Sequence, residues 1–308
     1  MTAMLLDAAS MYFRAYHALP TSITASDGSP VNAVRGFLDM LAVLVKRSRP
    51  SQLVACLDQD WRPAWRVELI PSYKAQRVDA ARPEQEAAPD ALGPQVPILL
   101  EVLAALGVPA IGAPNYEADD VIGTLAFRLA AEHTVEVVTG DRDLFSLIRA
   151  STGSSKAITV LYIARGIANL AEMDPTELQQ RYGVSPEQYA DVAVLRGDSS
   201  DGLPGVRGIG EKTATRLITT FGSLTQLQAA VKSGDDRISA RLTASIAEHG
   251  DYLAAARRVV TICTEVPIQT PNIATPLAPP NAARLAELAQ CYNLGSSITR
   301  VSTALYAR

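Results

Sequence analysis

Short apolar runs in this chain end, one after another, on a carboxylate. Met4-Leu5-Leu6 stops at Asp7, Leu53 to Leu57 stops at Asp58, and TVEVVT (134–139) stops at Gly140-Asp141. Continuous apolar runs of this kind read as strands buried on both faces, the habit of parallel sheets. Helical spacing fills the gaps: Val34, Phe37, Leu38, Leu41 and Val45 within about 31–48, a helix over about 94–106 before a short strand at Val108–Ile111, and another from Glu117 to about 131. Strands alternating with helices predict an α/β fold, a parallel sheet flanked by helices. Such a sheet presents functional side chains at the carboxyl ends of its strands. Nine carboxylates recur in the chain: Asp7, Asp58, Glu117, Asp119, Asp120, Asp141, Asp143, Asp198 and Asp201. Gathering them costs heavily in self-repulsion unless hard cations neutralise it. Oxygen donors suit Mg²⁺ or Mn²⁺, and the use of such a cluster is metal-assisted phosphodiester hydrolysis.

The 308 residues are enough for one large or two modest domains. A net charge of −4 weighs against a nucleic-acid partner when taken alone, but an acidic metal cluster masks basic patches elsewhere. Cys56, Cys263 and Cys291 are odd in number and form no CxxC pair, as in a reducing, cytoplasmic setting. No signal peptide and no membrane-length apolar run is read.

Residues 75–96 mix Arg77, Asp79, Arg82, Glu84, Glu86 and Asp90 with alanines and three prolines, which favours a weakly ordered functional lid over a plain loop. From about 183 helices alternate with Gly-rich turns. Residues 265–281 are Pro-rich and read as an extended tether, followed by a short helix over about 281–291 and a tail. The expected domains are an α/β core over 1–182, a helical region over 183–264, and the tether with a C-terminal helix on the core over 265–308.

Helix starts favour acidic residues, which accounts for one or two of Glu117, Asp119 and Asp120 but not for three in four positions. Asp141 and Asp143 fit either a crevice pair or a Gly-Asp turn with an ion pair through Arg142. The stretch GDSSDGLPGVRGIGEKT (197–213) imitates a phosphate-cradling P-loop, yet Glu211 intrudes before Lys212 and no buried strand leads in. It reads better as a Gly-rich hairpin between helices. Gly205, Gly208 and Gly210 let backbone amides approach phosphates, and Arg207, Lys212 and Arg216 supply charge. Lys74 and Arg77 share a helical face and suit a phosphate clamp; without the carboxylates they would be a solvated basic turn. Tyr12, Phe13, Arg14 and Tyr16 either stack on a terminal base or, for Tyr12 and Phe13, fill the core.

MLLDAASMYFRAYHALP, YKAQR, YEADDVIGTLA, VVTGDRDLFSL and LRGDSSDGLPGVRGIGEKTATRLI together resemble the bacterial 5′-nuclease family. These are flap endonucleases and 5′–3′ exonucleases found alone or as the N-terminal domain of DNA polymerase I. The resemblance spans about residues 4 to 225. It implies a PIN-like sheet, a helical arch over about 75–96, and a helix-hairpin-helix-type (H3TH) DNA-binding region. It implies that Asp7, Asp58, Glu117, Asp119 and Asp120 hold one divalent ion and Asp141, Asp143, Asp198 and Asp201 another. It places Lys74 and Arg77 at the arch base as catalytic groups. It also places the hairpin of Gly205, Arg207, Gly208 and Gly210 on duplex DNA, with a K⁺ ion on the backbone of Val206 and Ile209; Lys212 and Thr213 beside it, and Arg14 and Tyr16 after the first strand, complete the expected DNA contacts. Three positions depart from the family pattern: Ala8 for the usual Gly, Gly202 for the usual Asn, and an alanine-rich arch.

The expected function is a cytoplasmic, monomeric, structure-specific 5′ nuclease. It acts on branched or nicked duplex DNA, RNA-containing flaps included, beside a polymerase carried on a separate chain. A PIN-type ribonuclease and a non-catalytic DNA-structure-binding protein are the alternatives.

Overall fold

The computed structural model describes residues 1–83, 85–268 and 277–307. Six strands form one sheet: β1 (Thr2–Asp7), β2 (Gln52–Cys56), β3 (Ala110–Ile111), β4 (Thr134–Thr139), β5 (Ile158–Tyr162) and β6 (Ala171–Met173). Their order is β3-β2-β1-β4-β5-β6. All neighbours run parallel except the edge pair β5–β6, which is antiparallel. Register is tight at the centre, with Leu5 opposite both Val54 and Val137. The order reverses between β1 and β4, a topological switch point, and such sheets open a crevice there at their carboxyl edge.

The helices are α1 (Ala8–Ala18), α2 (Asn32–Ser48), α3 (Ala64–Leu69), α4 (Gln95–Ala105), α5 (Ala118–Leu129), α6 (Pro175–Tyr182), α7 (Pro186–Arg196), α8 (Glu211–Phe221), α9 (Leu224–Ser233), α10 (Ala240–Glu248), α11 (Gly250–Val260), α12 (Ala282–Cys291) and α13 (Gly295–Tyr306). Strand residues alternate between two cores although the runs are apolar throughout. Met4, Leu6, Leu53 and Ala55 face α2, α4, α12 and α13. Ala3, Leu5, Val54 and Val137 face α5. This period of two is the pleat of the strand itself. The second core continues without a break into the helical region through Leu195, Val206, Ile209 and Leu217, so that region shares its interior with the sheet.

Three expectations change here. The tail after residue 291 is a full helix, α13, whose Ile298, Val301 and Leu305 pack on the α2 side of the sheet. Polar Ser, Thr and Arg between those positions thin its apolar signal. Among the described residues, 75–96 form no helical arch. They hold a 3-10 turn (Ala75–Arg77), a Val78–Glu86 bridge and further turns, with Pro83, Pro89 and Pro94 interrupting any long helix. The expected tether lies partly outside the described residues (269–276). Its first part is not free chain, since Val266 is buried and its carbonyl accepts from Arg128 at 3.1 Å. No helix among the described residues is long and apolar enough to cross a membrane. Cys56, Cys263 and Cys291 are all free thiols.

Candidate active site

Asp7 ends β1 and caps α1. Its Oδ1 accepts from the Ser10 amide at 3.0 Å and its Oδ2 from the Thr139 hydroxyl at 2.7 Å. The ends of β1 and β4 are thereby joined across the switch point. Thr139 Oγ1 also accepts from the Asp141 amide, and Asp141 from that of Asp143, so the turn after β4 aims both aspartates inward. Asp58, just past β2, accepts from the first amide of α5 at 2.8 Å. Glu117 caps that helix.

A cavity of about 360 Å³ gathers seven of the nine carboxylates: Asp7, Asp58, Glu117, Asp119, Asp141, Asp143 and Asp198. Asp201 lines a chamber of about 20 Å³ beside it, shared with Glu117, Asp119 and Asp143. Asp120 stands apart. It is fully buried, and Arg66 grips both of its oxygens while the Cys263 and Glu117 amides donate to them as well. Asp119 and Asp120 are one residue apart on a helix, hence about 100° apart around its axis, and only Asp119 faces the cavity.

Four cations line the cavity, Arg14, Lys74, Arg77 and Arg142, and Lys74 and Arg77 pair with the carboxylates. Lys74 is buried, and its ammonium donates to Glu117 at 2.5 Å and to the Trp61 carbonyl at 3.3 Å. Burial disfavours the Lys74 charge, but Glu117 outweighs it and holds the ammonium well above its ordinary range. Arg77 reaches Asp201 at 2.5 Å and Glu86 at 3.7 Å. Tyr73 adds a hydroxyl to Glu117 at 2.8 Å. Sequence reasoning missed Arg66, Tyr73, Thr139 and Glu86 as site residues. Tyr73 carried a signal in its place beside Lys74, and Thr139 in its place at the strand end before Asp141.

These cations do not neutralise the site. Burial pushes Asp7 up to about 7, with Asp58 and Asp141 adding to the push. Asp119 and Asp143 are driven well above the usual carboxylate range, first by burial and then by Asp141. Asp198 is the exception: burial raises it, but the Ser200 hydroxyl and amide outweigh that and bring it down. Hard oxygen donors of which Asp7, Asp119 and Asp143 resist ionisation, first through burial and then through neighbouring carboxylates, fit divalent cations chemically. Among the described residues no three of the carboxylates stand close enough to hold one ion as placed. Lys74 and Arg77 occupy two of them and hydroxyls or amides hold others, so ion binding entails side-chain adjustment.

The Lys74 segment is fastened to the turn that bears Asp198 and Asp201. The Lys74 amide donates to the Asp201 carbonyl at 2.9 Å, the Ser72 hydroxyl to that of Gly202 at 2.7 Å, and Arg77 Nε to that of Ser200 at 3.0 Å. Gly202 has φ +69°, and a Cβ there would lie 2.0 Å from the Ser72 carbonyl oxygen. That close approach accounts for glycine at this departure from the family pattern.

The Gly-rich stretch is a hairpin between α7 and α8, as expected. Gly205 is buried and donates to the Tyr252 hydroxyl, whereas Arg207, Gly208, Gly210 and Lys212 are exposed and Thr213 is half-buried. Gly210 caps α8 without a side-chain hydrogen bond. Val206 and Ile209 are buried, and the Ile209 amide donates to the Val206 carbonyl. Arg14 lines the acidic cavity and donates to the Ala164 carbonyl at 2.8 Å; Tyr16 does not line it.

Residues 2–183 match the 5′-3′ exonuclease N-terminal resolvase-like domain, and residues 184–283 the 5′-3′ exonuclease C-terminal SAM fold. The chain belongs to the 5′–3′ exonuclease family. It is 50% identical over 307 residues to a 5′-3′ exonuclease of Streptomyces coelicolor, covering 99% of this chain and 100% of that one. A Mycobacterium tuberculosis 5′-3′ exonuclease is 45% identical, over 98% of this chain and 97% of its own. DNA polymerase I of Mycobacterium bovis is 38% identical over 88% of this chain but only 28% of its own length. The fold is shared with the T5 5′-exonuclease solved with zinc (TM-score 0.66, 16% identity, covering 100% of this chain and 99% of that one). As a member of the 5′–3′ exonuclease family the chain is an enzyme, a nuclease.

Proposed function

We propose that this 5′–3′ exonuclease cuts phosphodiester bonds near the 5′ end or flap base of branched or nicked duplex DNA, leaving a 5′-phosphate. The gathering of seven carboxylates in one cavity at the switch point carries the reading. Asp7, Asp58, Glu117, Asp119, Asp141, Asp143, Asp198 and Asp201 would hold two or more ions of Mg²⁺ or Mn²⁺. Bound there, such ions supply an activated water and charge for the departing oxygen. Asp120 is left out of this set because Arg66 already claims it.

The chain's own groups bind and orient. Lys74 and Arg77, freed from Glu117 and Asp201 as cations take their place, would hold the scissile phosphate. The exposed amides at the start of α8, with Arg207, Lys212 and Thr213, would grip the uncleaved duplex without reading sequence. The backbone at Val206 and Ile209 would take K⁺. Arg14, at the cavity wall, and Tyr16 would meet the terminal nucleotide. RNA-containing flaps are included among the substrates. The enzyme would act as a monomer, and its likeness to the start of DNA polymerase I supports a functional link to a polymerase. Product mapping on 5′-flap, nicked and single-stranded substrates, in DNA and RNA, tests the reading. Cuts confined to the junction or 5′ end of DNA duplexes are expected. No cleavage of any DNA in Mg²⁺ or Mn²⁺, or cleavage of RNA alone, overturns it.

A further inference from the structure

Aromatic residues make up 6% of the chain, yet both of its tryptophans, Trp61 and Trp65, fall within five residues. Trp61 lines the acidic cavity. Trp65, on α3, lines a separate groove of about 560 Å³ with Tyr116, Arg257, Arg258 and Ile262. Backbone contacts bring the two places together: the Asp60 amide donates to the Tyr116 carbonyl at 3.3 Å, and Trp65 Nε1 to the Asn115 carbonyl at 3.2 Å. Trp61, at the cavity, and Tyr116 and Trp65, in the groove, each half-buried, thus lie on two segments held side by side. Arg66 sits 4.6 Å from the Trp65 ring centre and steadies the indole.

The charge of this groove is opposite to that of the cavity. No carboxylate lines it. Arg257 is exposed and partly spent on the Thr225 hydroxyl at 2.6 Å and on Asp191 at 3.9 Å, which leaves Arg258 as the chief cation of the groove. Arg258 is exposed and makes no hydrogen bond or ion pair among the described residues. Rings for bases with cations for the backbone are the means by which proteins hold single strands irrespective of sequence. A duplex hides its base faces and has no use for such rings.

We infer that the groove is an exit track for the single-stranded 5′ tail of the substrate. Bases stack on Trp61, Tyr116 and Trp65, and phosphates meet Arg257 and Arg258. The inference rests on the nuclease reading of the cavity.

The test compares, in chelator, binding of a nicked duplex with the same duplex carrying a 5′ tail of about ten nucleotides, a length within the span such grooves cover. The wild-type enzyme is expected to bind the tailed substrate about tenfold tighter, the worth of one or two stacked bases. Trp65→Leu and Arg258→Glu should each remove most of that advantage, and Arg258→Glu should lower the salt slope on tailed DNA by about one ion. Binding and Mg²⁺-dependent cleavage of the nicked duplex should stay at wild-type level in the surface variant Arg258→Glu. The track is overturned if the tail brings wild type no affinity, if both variants keep the advantage, or if Arg258→Glu weakens nicked and tailed DNA equally. A wild-type enzyme that cleaves no nicked duplex would refute the nuclease reading instead, while the tail comparison still reports on the groove.

Discussion

Arg66 holds Asp120 through two hydrogen bonds of 2.8 Å each, both side chains shut away from water. The same guanidinium reaches Glu117 at 3.1 Å and donates to the Val259 carbonyl, so it joins α3, α5 and the end of α11. Asp120 is a support of the site rather than part of its lining.

Asp120→Ala therefore strips a buried guanidinium of its two-bond partner and leaves it Glu117 alone, a change that costs up to about 3–5 kcal/mol. Denaturant unfolding should show that loss. Asp141→Ala should instead abolish hydrolysis at near-native stability, with DNA binding in chelator kept or tightened as negative charge leaves the phosphate's path. An Asp120→Ala enzyme as stable as wild type but unable to bind metal would make Asp120 a ligand after all.

The acidic cavity sets a pH dependence. Asp7, Asp119 and Asp143 have folded-state values raised above the unfolded one, so they favour the folded state while protonated. That contribution is present below about pH 4, the unfolded value, and for Asp7 is lost by about pH 7. In chelator, Asp7→Asn should thus gain stability over wild type as pH rises through this window. Mg²⁺ should raise the wild-type melting temperature more at pH 8 than at pH 5.5, because ion binding requires ionised carboxylates. Melting curves with an equal Mg²⁺ effect at both pH values would count against a metal role for these groups.

Gly208 has φ +81° and is exposed at the hairpin tip. Gly208→Val strains that conformation and bars close approach of a phosphate. Duplex binding should weaken irrespective of sequence. Lys212→Ala should lower the salt slope by about one ion. Titrations that show neither change would make the hairpin a purely structural turn.

Lys74→Ala should reduce turnover about 10²-fold or more with little change in affinity, as for an interaction made in the transition state. It also leaves Glu117 with one fewer cation, so metal affinity should rise rather than fall. Single-turnover rates at saturating DNA decide this; a near-normal rate removes Lys74 from the chemistry.

The carboxylates were legible because parallel strands are apolar throughout, so Asp7 and Asp58 break each run abruptly. The switch point was not, since strand order depends on which runs pair. The Glu117–Asp120 cluster shows the limit more sharply. Sequence put three carboxylates together, and helix geometry sent Asp120 to a partner 54 residues away that no spacing announces. β5 went unread because the polar stretch 151–156 leads into only five strand residues. The Lys74 segment was expected to be loose from its composition. Its order at the near end comes from the Ser199–Gly202 turn, which lies more than 100 residues away in the chain.

That attachment turns the molecule into a caliper. The groups proposed to hold the scissile phosphate, Lys74 and Arg77, are bonded to the Ser200–Gly202 turn that leads straight into the hairpin proposed to grip the duplex. The gap between the two jaws is thus set by protein backbone, not by the DNA. On the proposed reading, an enzyme built this way would need no sequence to choose its bond: it would measure off a fixed length from the duplex it holds and cut at that mark.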